Sequence, residues 1–135
     1  MKKNVFFYLL LFALIFNFSS CGDKDDVAEP SKLELLTSKT WQINKVFAGS
    51  TDISVILQGA TFKFDNDRTF TTTSSILPSS GTWDFASDET IIILEPGTSN
   101  EQRWTVTELE DNSFKATITN PDDNTKYQAE LVPVP

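Results

Sequence analysis

The chain has 135 residues and a formal net charge of −8, with one cysteine and no histidine. An acidic chain repels nucleic acid and anionic lipid headgroups, so neither is an expected partner. Without histidine the usual general base, the commonest transition-metal ligand and the Ser-His-Asp arrangement are all missing. Composition therefore disfavours an enzyme, a nucleic-acid-binding protein and an imidazole metal site.

The first twenty residues have the pattern of a secretory signal peptide. Lys2 and Lys3 form a charged start, residues 5–18 are an apolar run, and Ser19 and Ser20 are the small residues of a cleavage site. The run is shorter than the ~20 residues of a membrane-spanning helix. We therefore expect residues 1–20 to be removed, which leaves 115 of the 135 residues and, without two lysines, takes the net charge from −8 to −10.

Cys21 stands directly after this segment, in the stretch Phe18-Ser19-Ser20-Cys21-Gly22. The stretch resembles the lipobox of bacterial lipoproteins. The resemblance implies that the Cys21 sulfur is diacylated, with chains such as palmitate, and that the signal is cut just before it. Because two or more acyl chains anchor a protein stably, Cys21 would hold the protein on a membrane. The alternative is a buried or free thiol in an ordinary secreted protein.

Residues 22–30 are polar and acidic, with too little apolar surface to fold. We interpret residues 21–30 as a lipidated tether that keeps a domain over residues 31–135 clear of the lipid. Acidic residues directly after the cysteine also resemble the surface-export signal of Bacteroidetes-type lipoproteins, and a solvated spacer is the alternative. The expected location is the cell envelope, as an outer-membrane lipoprotein that is periplasmic or surface-exposed.

One helix and eight strands are predicted for the domain. Ser31 is a candidate N-cap for a helix over residues 31–37, with Glu34 three residues later. After it come short segments rich in Thr, Ile, Phe and Trp, separated by turn-forming clusters. The predicted strands are residues 41–47, 60–65, 69–75, 81–86, 90–95, 102–109, 113–119 and 126–132. This spacing predicts an all-β antiparallel meander, closed as a barrel or folded as a sandwich.

Alternation along the strands predicts which side chains face inward. Residues 91–94, Ile-Ile-Ile-Leu, are apolar on both faces, so we expect the N-terminal helix or a loop to cover the second face. The predicted inward residues are Trp41, Ile43, Phe62, Phe64, Trp83, Phe85, Trp104, Val106, Phe114, Ala116, Ile118, Tyr127, Ala129 and Leu131.

Several of these segments together resemble a lipocalin-like domain of Bacteroidetes-type lipoproteins. They are Thr40–Val46, Phe62–Phe70, Gly81–Asp84, Trp104–Val106 and Tyr127–Pro133. The resemblance covers roughly residues 33–133. It implies an eight-stranded up-and-down barrel with a short N-terminal helix, an apolar interior, and a small-molecule or protein-binding role.

The inward aromatic residues are the candidate ligand-binding site. An eight-stranded barrel is just wide enough to be filled by its own side chains or to hold one small ligand. The sequence leaves both a packed core and an open apolar cup as interpretations. The candidate ligand-binding residues are Trp41, Phe62, Trp83, Trp104, Phe114 and Tyr127.

Neither a metal site, a cofactor nor a catalytic residue is expected. Residues 65–67, Asp-Asn-Asp, lack the Gly and the bidentate Glu of an EF-hand and are interpreted as a hairpin turn. Asp84 and Glu130 face outward by alternation, so a pair of carboxyl groups for hydrolysis is not expected. Arg68 and Arg103 are interpreted as surface residues.

The expected function is a membrane-anchored, non-enzymatic lipoprotein that binds a small apolar or amphipathic ligand at the cell envelope. The alternative is a protein-interaction module of an envelope complex, with a filled barrel. Residues 48–59 and 74–80, two predicted loops with isolated Ile and Leu residues, would then supply the contact surface.

Overall fold

Two short helices and nine strands make up the part of the chain that the computed structural model describes, residues 28–86 and 88–135. The helices are α1 (Lys32–Thr37) and α2 (Ser54–Leu57). The strands are β1 (Thr40–Ala48), β2 (Thr51–Asp52), β3 (Thr61–Phe64), β4 (Thr69–Thr72), β5 (Ser80–Ala86), β6 (Ile91–Leu94), β7 (Gln102–Glu110), β8 (Ser113–Thr119) and β9 (Lys126–Pro133). The predicted signal peptide, Cys21 and most of the predicted tether lie outside the described residues.

The strands form a closed antiparallel barrel. Each strand from β3 to β8 pairs with the next one along the chain. Strand β1 closes the sheet by pairing with both β3 and β9. The remaining strand, β2, pairs only with the end of β1. The predicted all-β class and eight-stranded antiparallel barrel are confirmed, and the sandwich alternative is wrong. Closure leaves the barrel strands without free edges.

Seven of the eight predicted strands begin and end within one residue of the observed ones, and the eighth is too long. The predicted strand over residues 69–75 stops at Thr72, because hydroxyl groups there turn the chain. Thr72 Oγ1 accepts a hydrogen bond from the Ser74 N–H at 3.0 Å, and Ser74 Oγ accepts one from the Ile76 N–H at 3.4 Å. The interpretation of residues 48–59 as a loop is wrong, because they contain β2 and α2.

Helix α1 caps one end of the barrel, which we call the closed end. Ser31 Oγ accepts a hydrogen bond from the Glu34 N–H at 3.2 Å, which confirms the predicted N-cap. The Leu36 side chain is fully buried, and the Leu36 carbonyl accepts a 3.0 Å hydrogen bond from Trp41 Nε1. Thr37 Oγ1 donates to Asn66 Oδ1 in the β3–β4 turn at 2.9 Å. The helix is thus tied to β1 and to the turn beside it.

Aromatic rings fill the half of the barrel next to α1, which we call the closed half. Trp41 packs edge-on against Phe114 at 5.5 Å between ring centroids, and Phe64 packs edge-on against Trp83 at 5.6 Å. All four side chains are buried, as alternation predicts. Such pairs contribute about 0.5–1.5 kcal/mol each beyond their buried area.

Most of the predicted inward residues are buried, and the others are half-buried. The half-buried ones are Phe85, Val106, Ile118 and Tyr127. In β6, Ile92 and Leu94 are buried, while Ile91 and Ile93 on the other face are half-buried.

All eight barrel strands and the capping helix lie within residues 32–133, and the sheet closes on itself. Residues 28–135 therefore carry a complete core and are expected to fold without the residues before them. In the described part of the chain, no helix is long and apolar enough to cross a membrane.

Candidate functional site

An apolar cavity of about 330 Å³ opens at the end of the barrel opposite α1. We call this end the mouth. The loops that meet there are residues 49–60, 73–79, 95–101 and 120–125. The cavity is lined by Ile43, Val46, Ile53, Ile56, Leu57, Phe62, Ser74, Ile76, Leu77, Gln102, Trp104, Ile118, Thr119, Asn120, Pro121, Tyr127 and Ala129.

The cavity exists because small and aliphatic residues replace aromatic ones toward the mouth. Phe62 on β3 and Trp104 on β7 pack edge-on at 5.0 Å between centroids, at the inner end of the cavity beside the aromatic core of the closed half. Beyond them, Val46 of β1 stands opposite Ala129 of β9, and neither is large enough to fill the space between strands. The barrel is therefore packed in one half and hollow in the other.

Two segments outside the barrel strands complete the cavity wall. Helix α2 contributes Ile56 and Leu57, preceded by Ile53, and the β4–β5 loop contributes Ile76 and Leu77. Ser54 fastens α2 to β1, because its Oγ accepts a hydrogen bond from the Val46 N–H at 2.9 Å. These aliphatic residues form two short runs in otherwise polar segments of the sequence, and those runs were the available signal.

The structure separates the six candidate ligand-binding residues into two groups. Phe62, Trp104 and Tyr127 line the cavity. Trp41, Trp83 and Phe114 do not line it, and are buried in the closed half. Alternation places all six on the barrel interior, but it does not give their height along the barrel axis.

A few uncharged polar groups stand among the apolar lining residues. The Gln102 side-chain oxygen accepts a 3.4 Å hydrogen bond from Trp104 Nε1, and the Asn120 side-chain oxygen accepts a 3.1 Å bond from the Asp122 N–H. Among the described residues, no hydrogen bond is made by the Gln102 and Asn120 amide nitrogens or by the Tyr127 hydroxyl. These three groups are free to bind a polar atom in the cavity.

The mouth is electronegative. A polar groove of about 220 Å³ runs beside the cavity, shares residues such as Gln102 and Asn120 with it, and includes Glu101 and Asp122. The Gly97 N–H and Arg103 both donate hydrogen bonds to Glu101, at 2.8 and 2.9 Å. These bonds hold the pKa of Glu101 below its usual range, so its carboxylate stays charged at neutral pH.

The described residues form no cluster of metal-binding side chains. No group of three or more His, Cys, Asp or Glu among them could hold a metal ion. The predicted turn at residues 65–67 is confirmed, since Asp67 Oδ1 accepts hydrogen bonds from the Thr69 N–H at 3.0 Å and the Thr69 hydroxyl at 2.6 Å. These same bonds lower the pKa of Asp67.

The surroundings of Arg68 are not those of the ordinary surface residue that the sequence predicts. Its guanidinium carbon lies 4.7 Å from the centroid of the Trp83 ring and 5.7 Å from that of Phe85. Its Nη1 lies 3.4 Å from Asp84 Oδ1. Arg68 therefore covers the aromatic core at the closed end, and nothing in the sequence pattern signals this stacking.

Comparison with protein-family models gave no match, and comparison with curated proteins gave none either. The site must therefore be interpreted from its own geometry, which offers space and apolar contacts for one small molecule.

Proposed function

We propose that this protein is a non-enzymatic, lipocalin-like lipoprotein that binds a small apolar or amphipathic ligand in the mouth cavity, at the cell envelope. The observation that carries the proposal is the apolar cavity of about 330 Å³ between Phe62, Trp104 and Tyr127. Ligand pockets have volumes of ~300–1,000 Å³ and are lined mainly by apolar and aromatic side chains with a few polar groups. The cavity lies at the small end of that range.

The volume limits the size of the ligand and its affinity. At ~30 Å³ per water-sized group, about 330 Å³ holds on the order of ten such groups. Burying ten methylene groups gains ~8 kcal/mol at most, and association costs ~4 kcal/mol or more of this. Since the remaining ~4 kcal/mol corresponds to a Kd of ~1 mM, we expect affinities of about millimolar.

Binding of a neutral fluorescent probe tests the proposal. N-phenyl-1-naphthylamine is uncharged and fluoresces more strongly in apolar surroundings. Residues 28–135 should enhance its fluorescence saturably, and 1-decanol should displace it. Absence of both effects would contradict a ligand-binding role.

A pair of substitutions on β8 locates the probe. Ile118 lines the cavity, whereas its neighbour Thr117 points to the opposite face of the strand. Ile118→Trp fills the cavity and should abolish the fluorescence enhancement, while Thr117→Trp should leave it unchanged. The urea midpoint of each variant shows whether it is folded. If Ile118→Trp does not fold, the test uses Ala129→Val instead, which is a smaller substitution in the same wall.

The membrane anchor is a second part of the proposal. It is supported by the position of Cys21 directly after the apolar segment, in a stretch that resembles a lipobox. Cells that express the full chain should incorporate labelled palmitate into it, and Cys21→Ala should prevent this. Labelling that persists in Cys21→Ala would contradict the assignment.

An alternative function, a protein-interaction module, is favoured by one observation at the mouth. Val55, Ile56 and Ile76 are 90, 67 and 61 % exposed, which is unusual for large aliphatic side chains gathered at one end of a protein. Val55 does not line the cavity, so it is free to contact a partner.

Site-specific crosslinking distinguishes the alternative. A photoreactive amino acid at position 55 should crosslink one defined protein in cells if the mouth docks a partner, whereas the same group at position 117 on the outer barrel wall should not. Crosslinks of equal yield at both positions would argue against docking at the mouth.

A further inference from the structure

We infer that the cavity discriminates against anionic ligands, so that its ligand is an amphiphile with an uncharged polar head. The inference rests on the proposed ligand-binding function and specifies the chemical class of the ligand. Three observations support it: the lining has no cation, three polar groups of lining residues have no hydrogen-bond partner among the described residues, and the mouth carries excess negative charge.

No cation is available to a carboxylate or phosphate inside the cavity. None of the residues that line it is charged, and the described part of the chain has no histidine to become charged there. Moving an ionised carboxylate into apolar surroundings costs several kcal/mol unless a partner of opposite charge is present. An anionic head would therefore have to stay outside, in water.

The unpaired polar groups suit an oxygen atom on a neutral head. The amide nitrogens of Gln102 and Asn120 and the Tyr127 hydroxyl have no partner among the described residues. Both nitrogens donate, and the hydroxyl can donate or accept. A hydroxyl, ester or amide oxygen at the wall would satisfy one of these donors without a charge to desolvate.

Charges around the mouth would repel an anion that stayed outside. The mouth loops carry five acidic residues, and Arg103, Lys126 and Lys45, whose charge acts on Asp52, offset three of them, which leaves a net charge of −2. The acidic residues are Asp52, Glu95, Glu101, Asp122 and Asp123. The three cations do not line the cavity, and Arg103 is held 2.9 Å from Glu101.

Two probes with the same chain length but different head charge test the inference. 1-Decanol and decanoate each compete with N-phenyl-1-naphthylamine for residues 28–135 at about pH 7, where a carboxylic acid of pKa ~4 is ionised. We expect decanoate to bind at least about tenfold more weakly than decanol, a difference of ~1.4 kcal/mol.

Reversing one charge at the mouth separates electrostatic exclusion from the lower hydrophobicity of decanoate. Asp122 lies in the groove beside the cavity, whereas Glu110 is exposed at the closed end. Asp122→Lys should strengthen decanoate binding severalfold and leave decanol binding within about twofold. Glu110→Lys makes the same change of net charge and should alter neither.

The outcomes are distinct. If decanoate binds the unmodified protein as tightly as decanol, or if Asp122→Lys and Glu110→Lys change decanoate binding equally, the inference is overturned and the ligand-binding function stands. If the dye and both probes fail to bind, the proposed function itself fails.

Discussion

Arg68 shows how a half-buried charged residue can contribute to the core. Its guanidinium lies over the Trp83 ring at 4.7 Å, and a contact of this kind is worth ~0.5–1 kcal/mol where the cation remains partly in water. Its side chain is 42 % exposed, and its ion pair with Asp84, which is 60 % exposed, adds little. The stacking on Trp83 is therefore the main contribution of Arg68 to stability.

Arg68→Met should lower the free energy of unfolding by about 0.5–1 kcal/mol, because it removes the cation above the ring. Arg103→Met is the matched control, since Arg103 makes an ion pair with Glu101 and no contact with an aromatic ring is found for it among the described residues. Its loss should cost less than ~0.5 kcal/mol. Urea unfolding measures both, and equal effects would contradict a role for the Trp83 stacking.

Trp41 joins α1 to the barrel through a buried hydrogen bond from Nε1 to the Leu36 carbonyl at 3.0 Å. Trp41→Phe removes the donor and leaves a smaller ring against Phe114, so it should cost about 2–4 kcal/mol of unfolding free energy. Tyr127→Phe is the control, because no partner of the Tyr127 hydroxyl is found in the described chain, and it should cost under ~0.5 kcal/mol. A smaller loss in Trp41→Phe than in Tyr127→Phe would show that α1 is not held this way.

At the scale of elements, the least secured part of the cavity wall is α2. It has only four residues, and Asp52 fixes its start by accepting hydrogen bonds from the Ser54 N–H at 2.8 Å and the Ser54 hydroxyl at 2.5 Å. These bonds, the hydroxyl first, lower the pKa of Asp52 below its ordinary value. Folding therefore favours the ionised Asp52. Its contribution is complete above the unfolded-state pKa of ~3.9 and is lost as the pH falls through the lower folded-state pKa.

Acid should consequently loosen α2 before the barrel unfolds. We expect the hydrogen-exchange protection of residues 54–57, corrected for intrinsic rates, to be constant from about pH 7 to 5 and to fall below about pH 4. Asp52→Asn should remove most of this pH dependence. Asp123→Asn is the control, because Thr125 lowers the Asp123 pKa in the same way but in the β8–β9 loop. An unchanged pH response in Asp52→Asn would contradict the assignment.

The barrel could be predicted from the sequence because its strands alternate cleanly and end at turn-forming residues. Trp41, Phe64 and Phe114 show this, since each has polar neighbours in its strand and each is buried. Alternation tells which face of a strand a residue lies on, but not how far along the barrel axis it lies. It therefore could not separate Trp83, in the filled half, from Tyr127, at the cavity. Helix α2 escaped prediction because four residues are too few to show a helical period.

At the scale of the whole molecule, the chain enters the barrel at the closed end, since α1 precedes β1 there, and the mouth lies at the opposite end. If Cys21 is the anchor, as proposed, residues 22–31 reach at most ~35 Å when extended. This length alone would allow either end of the barrel to face the bilayer. The tether joins the barrel at the closed end, however, so we expect the mouth to lie farther from the bilayer on average.

Energy transfer from a single dye to labelled lipid headgroups measures this orientation in the acylated protein on vesicles. Acylation blocks Cys21, so the dye reacts only with a newly introduced cysteine, either Ile76→Cys at the mouth or Asp111→Cys at the closed end, whose side chains are well exposed. Transfer should be stronger from position 111 than from position 76, because the tether holds the closed end nearer the lipid. Equal or reversed transfer would mean that the mouth approaches the lipid, where the exposed Val55 and Ile56 could contact it.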